Sequence, residues 1–176
     1  MEDEIFDETK VDDRTDKEYE YLLFLFEQLL DKFDNQTIDL EEFQEIVEAR
    51  VMFAFGHCVR RFGIDLNEAL DIVRNHDESY LTPFEIEKRK ALVAALDNLV
   101  DFATAEETQM YMDMEEQNDD DDPERIFHLY NNIYATTENR DIDYASSIAA
   151  WWVNLPEETT LMYMTQGDES VRDSHR

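Results

Sequence analysis

Three tetrapeptides fix the starts of helices along this chain. Asp39-Leu40-Glu41-Glu42, Asp65-Leu66-Asn67-Glu68 and Thr82-Pro83-Phe84-Glu85 each place an oxygen-bearing capping side chain three residues before a glutamate. The first side chain accepts from early helical amides, and the glutamate reaches back to the amide of the cap. Pro83 falls at the first helical position, where a missing N–H costs nothing. Apolar residues follow each cap at helical spacing, and the whole chain holds only three glycines and three prolines. Long helices are therefore favoured over sheet.

Between and beyond the caps, Tyr19, Leu22, Leu23, Phe26, Leu29, Leu30 and Phe33 form the face of a first helix. Tyr21, Phe24 and Leu25 add a second strip to it. The second helix carries Phe43, Ile46, Val47, Val51, Ala54, Phe55 and Cys58 and stops at Gly63; the third carries Leu66, Ala69, Leu70 and Val73. The fourth runs through Leu92, Val93, Leu96, Leu99, Val100 and Phe102, and Thr104 caps a continuation to Glu116. Ile126, Phe127, Tyr130, Ile133 and Tyr134 mark a fifth. A sixth follows Thr137 with Tyr144, Ile148, Trp151 and Trp152 as its apolar residues, and Pro156 ends it. The predicted fold class is mainly α. An acidic flexible arm spans 1–15, a helical bundle 16–116, an acidic linker 117–123, and a helix pair with a short C-terminal strand and loop 124–176.

Charge narrows the function. With 45 Asp+Glu against 15 Lys+Arg, the 176 residues carry a formal −30, yet 43% are hydrophobic, enough for a core. Such a molecule repels nucleic acid and anionic membranes, and its natural partners present basic surfaces. The single cysteine, Cys58, excludes an internal disulfide. No apolar run reaches membrane-spanning length, and the acidic start is the reverse of a signal peptide. These features imply a cytosol-like compartment or a particle assembled there.

The candidate metal and catalytic patterns are thin. Asp31, Asn35, Asp39 and Glu42 have some of the spacing of a calcium loop, but Phe33 and Gln36 stand where an oxygen ligand and a glycine are wanted. Adjacent His57 and Cys58 point in different directions on a helix, and His76 and His128 lack sequence-near partners. Arg60-Arg61 and Lys88-Arg89-Lys90 are basic clusters that could contact nucleic acid, but on a chain at −30 they are expected to pair with acidic neighbours within the molecule. No phosphate loop or nucleophile triad is present, so the chain is expected to have no enzymatic activity, metal or cofactor. Ile5, Phe6 and the run Asp119, Asp120, Asp121 and Asp122 are candidate protein-interaction residues.

The C-terminal stretch carries a resemblance. Met162-Tyr163-Met164-Thr165-Gln166-Gly167-Asp168-Glu169-Ser170-Val171-Arg172-Asp173-Ser174-His175 reads by itself as a strand, a turn at Gly167-Asp168 and a polar tail. It also resembles the signature of the phage Mu F-like head morphogenesis proteins. There an apolar-aromatic strand leads to Thr-x-x-Asp, then Val-Arg or Thr-Arg, then a two-residue step to histidine. Thr165, Asp168, Arg172 and His175 occupy those positions. Ile133 to Asn139, Phe53 to Gly56, and Leu66 to Phe84 are similar in kind to the family's upstream helices. The family's chain continues beyond the histidine, whereas this one stops at Arg176, so the resemblance implies an amino-terminal fragment or a missing subdomain.

The resemblance implies a structural minor head protein of a tailed phage. It would bind a basic portal, capsid or scaffold surface in the host cytoplasm and reside in the procapsid or virion. Asp168, Arg172 and His175 would organise the loop, and the strand edge would pair with another subunit. Charge alone supports a different expectation: an acidic DNA mimic that blocks a host nucleic-acid-binding enzyme, of anti-restriction or anti-CRISPR type.

Overall fold

The structure, a computed structural model, describes Phe24 and residues 27–76, 80–116, 122–131 and 136–160. Every regular element among these residues is a helix. Helix α1 covers 27–34, α2 Leu40–Arg60, α3 Leu66–Asn75, α4 Pro83–Glu115, α5 Pro123–Tyr130 and α6 Thr136–Asn154. The mainly α expectation is met. The expected strand after Thr160 lies outside the described residues.

The caps form as their chemistry dictates. Asp39 Oδ1 accepts from the Glu42 amide at 2.9 Å while Glu42 accepts from the Asp39 amide at 3.4 Å. Thr82 and Glu85 make the same reciprocal pair at 3.3 and 2.9 Å. Asp65 accepts from the amides of Asn67 and Glu68. The α2 helix closes at Arg61, and Gly63 takes φ +76°, a left-handed turn that glycine adopts without strain. In α2 a Cβ on Gly56 would lie 3.1 Å from Leu66 Cδ2, so its bare backbone lets the start of α3 pack close.

Two expectations change. The fourth and continuing helices are one: α4 runs unbroken for 33 residues, about 50 Å, through Thr104. No glycine or proline lies between Pro83 and Pro123 to stop it. The acidic linker also ends sooner than expected. Asp122 is the N-cap of α5, accepting from the Glu124 amide at 3.1 Å, and Pro123 is that helix's first residue. The last aspartate of the run is thus a structural cap.

The long α4 is the spine, and α2, α3, α5 and α6 all pack on it. Leu29 of α1, Phe43, Val47 and Phe55 of α2, and Leu66 and Leu70 of α3 belong to one core. Leu92, Leu96, Met110 and Met114 of α4, Phe127 of α5, and Ile142 and Ala150 of α6 complete it. At one end Tyr111 organises the entry into α2. Its ring stands edge-on to Phe33 at 5.4 Å and tilted on Phe43 at 5.1 Å, and its hydroxyl donates to the Ile38 carbonyl at 3.3 Å. Desolvation raises its phenol's pKa.

At the other end, Lys88 and Arg61 tie α6 down. Lys88 Nζ donates to the carbonyls of Val153, at 3.0 Å, and Leu155, and sits 4.6 Å over the Phe84 ring. A buried cation there satisfies the open carbonyls of a helix C-terminus and complements its dipole. Arg61 pairs with Asp143 at 2.9 Å, joining the end of α2 to the outer side of α6.

Candidate protein-interaction surface

Helix α6 turns a different face inward from the one its bulky residues suggest. Its buried positions are Glu138, Asn139, Ile142, Ser146, Ala149 and Ala150. Tyr144 is 70% exposed, Ile148 51% and Trp151 53%, with Trp152 half-buried. After Ile142 the buried side narrows to Ser146, Ala149 and Ala150, where α2 and α4 already fill the interior with Phe55, Leu92 and Leu96. A bulky stripe there would overpack it. The aromatic residues of α6 are left to the surface.

With α4 they line a groove of about 590 Å³. Its floor is alanine-rich: Ala91 and Ala95 from α4, Ala145 and Ala149 from α6. Side chains truncated at Cβ leave a trough between the two helices. Leu99, Phe102, Tyr144, Ile148 and Trp152 stand as its walls, and Asn98 and Asp141 are its polar lining residues. Phe102 is itself 48% exposed. Trp152 is held by Phe84, whose ring lies edge-on at 6.4 Å. Contiguous apolar surface of this kind marks an interaction site, since isolated surface hydrophobics do not line up along two helices.

A second groove, about 630 Å³, runs on the adjacent face of α4, between it and α2. Here Glu41, Glu45 and Glu48 stand one turn apart on α2 and face Val100, Asp101, Thr104 and Thr108 of α4. Gln44 donates to Thr108 at 3.0 Å across its floor. The two grooves share α4 but no lining residue.

Several cations among the described residues bond within the fold. Arg61 is paired with Asp143, Arg74 with Asp97 at 2.9 Å, and Lys90 with Glu87 at 3.2 Å. Lys88 and Arg89 donate to backbone carbonyls. Arg50 is buried on α2, where its NH2 group meets Glu107 of α4 and Glu138 of α6, the latter at 2.8 Å. Burial is the largest influence on Glu107 and pushes its carboxyl well above the ordinary range; Arg50 opposes this and Glu138 adds to it. Sequence reading missed these charges, although a signal was present. Arg50 shares a face with Phe43, Val47 and Ala54, and Glu107 with Ala103, Met110 and Met114.

The sequence-predicted site residues are distributed as follows. Thr165, Asp168, Arg172, His175, Ile5, Phe6, Asp119, Asp120 and Asp121 lie outside the described residues. Asp122 caps α5. Asp39 and Glu42 of the calcium-like loop form a capping box, and Gln36 takes φ 54° in the turn before it. Cys58 is buried, His57 half-buried, and His76 closes α3 in a left-handed conformation. His128 lies 3.7 Å from Glu124 on α5. Among the described residues no group of three or more histidine, cysteine or acidic side chains is arranged to hold a metal. No helix among them is long and apolar enough to cross a membrane. No family model, curated protein or solved structure matches the chain.

Proposed function

We propose that the chain is a non-enzymatic docking protein that binds a basic protein surface. The observation that carries this reading is the internal use of several of its cations. Arg50, Arg61, Arg74, Lys88, Arg89 and Lys90 bond within the fold, so the carboxylates dominate what faces outward. The field of such a surface attracts a basic partner and speeds its encounter. The groove beside it supplies apolar area that charge alone lacks.

The resemblance of Thr165, Asp168, Arg172 and His175 to a head-protein signature makes the basic surface of a portal or capsid protein the partner of first choice. Assembly in the host cytoplasm and residence in a procapsid or virion follow from that choice. DNA mimicry is the second reading, and the row Glu41, Glu45 and Glu48 facing Asp101 favours it. These carboxylates are fixed on rigid helices, as stand-ins for phosphates must be.

Affinity capture from phage-infected cells with the full chain as bait separates the two. Portal or capsid protein eluting with salt, and retained against added duplex DNA, is the expected result. A host DNA-binding enzyme displaced by duplex DNA would favour mimicry. Retention of acidic proteins, insensitive to salt, would refute the basic-partner reading altogether.

A further inference from the structure

Two grooves sharing one helix specify more than a charge. The α4–α6 groove is apolar and alanine-rich, with Asp141 as the carboxylate in its own lining, and a separate acidic trough lies between α2 and α4. Ala91, Ala95, Asn98 and Phe102 recur along α4 at steps of three and four, spanning about 17 Å. Tyr144, Ile148 and Trp152 repeat a four-residue step along α6. Walls with this period accept the ridges of a third helix, by the same rule that packs helices within the bundle.

Resting on the reading of a basic partner, we infer that the α4–α6 groove seats one amphipathic helix of that partner. Its apolar stripe enters between Phe102, Tyr144, Ile148 and Trp152. Its basic side meets Asp141 in the groove lining and the net negative surface of the chain. Charge complementarity selects this occupant. A second copy of a −30 chain would bring like charge to the rim, and an anionic membrane would do the same. An uncharged apolar helix would leave Asp141 and the net negative surface unanswered. In helix-in-groove recognition the docked helix carries anchors at i, i+3, i+4 and i+7, and the groove's lining residues recur along α4 and α6 at compatible steps of three and four.

The probe is a synthetic helix of about 18 residues with leucines at those positions and lysines elsewhere. A scrambled peptide of identical composition is its control. Trp151→Phe in the full chain leaves Trp152 as the reporter inside the groove. At about 0.15 M salt the amphipathic peptide is expected to bind at least about tenfold tighter than the scrambled one, and to shift Trp152 emission to the blue. Tyr144→Ser and Ile148→Ser, at exposed positions, should erase that preference while helical circular dichroism is retained. Asp141→Asn, which removes the carboxylate in the groove lining, should weaken both peptides.

Equal binding of the two peptides with an unmoved Trp152 would overturn the helix inference and leave the basic-partner reading standing. Failure of both peptides to bind even at low salt would remove both. A dimer dissolved by Ile148→Ser would assign the groove to a second copy instead. A monomer whose Trp152 is already shielded from acrylamide, and which binds neither peptide, would assign it to the chain itself.

Discussion

Arg50 decides how the centre of this bundle is held. Its guanidinium has two carboxyl partners from two other helices, all three side chains buried. Arg50→Leu should cost about 3–5 kcal/mol, because the loss strands acidic groups in a medium that disfavours them. Urea unfolding measures this, and a cost under about 1 kcal/mol would mean that water reaches the cluster. Glu107 adds a pH signature. Its folded pKa is raised above the ordinary 4.5, so between that value and the raised one the native state holds the extra proton. Stability must therefore fall as pH rises through this window. Glu107→Gln imitates the protonated form and should flatten that part of the profile. Glu106, raised chiefly by desolvation and next by Glu138, contributes in the same direction and remains in the variant. An unchanged slope in Glu107→Gln would remove Glu107 from the account.

The helix starts were the most legible elements. Asp39, Asp65 and Thr82 declare themselves because a cap acts within four residues, and local chemistry is what a sequence displays. Thr82→Ala should cost about 1 kcal/mol by thermal or urea unfolding. Less legible was which face of α6 turns inward. Tyr144, Ile148 and Trp151 are among its bulkiest residues and stay exposed, while its inward face narrows after Ile142 to Ser146, Ala149 and Ala150. That is a property of the neighbours and not of α6. The groove was hidden for the same reason, since it exists only where α6 lies beside Ala91 and Ala95. Arg50 and Glu107 were readable from their register yet were masked by the expectation that charge faces water. Lys88 illustrates the reverse: its cluster was expected to pair with acidic neighbours, and Lys88 bonds instead to the carbonyls that end α6. Lys88→Met should loosen that end at a cost of about 1.5–3 kcal/mol. Faster amide exchange around Leu155, with the middle of α4 unaffected, is the expected pattern.

At the scale of the whole molecule, −30 on 176 residues is a standing force against compactness. Raising ionic strength from about 0.01 to about 0.5 M should raise the melting temperature by screening it. The same force explains the construction. A chain with few cations places several in bonds that fasten one helix to another, and leaves its acidic faces to a partner. Binding then depends on salt in a way that folding opposes: screening stabilises the free protein while weakening the complex. The most direct measurement follows from this. Affinity for the lysine-rich amphipathic peptide is titrated against salt for the full chain and for the Asp141→Asn variant. The account predicts affinity that falls steadily with salt, with a shallower dependence in the variant. Affinity that is flat or rises with salt, equally in both proteins, would contradict it.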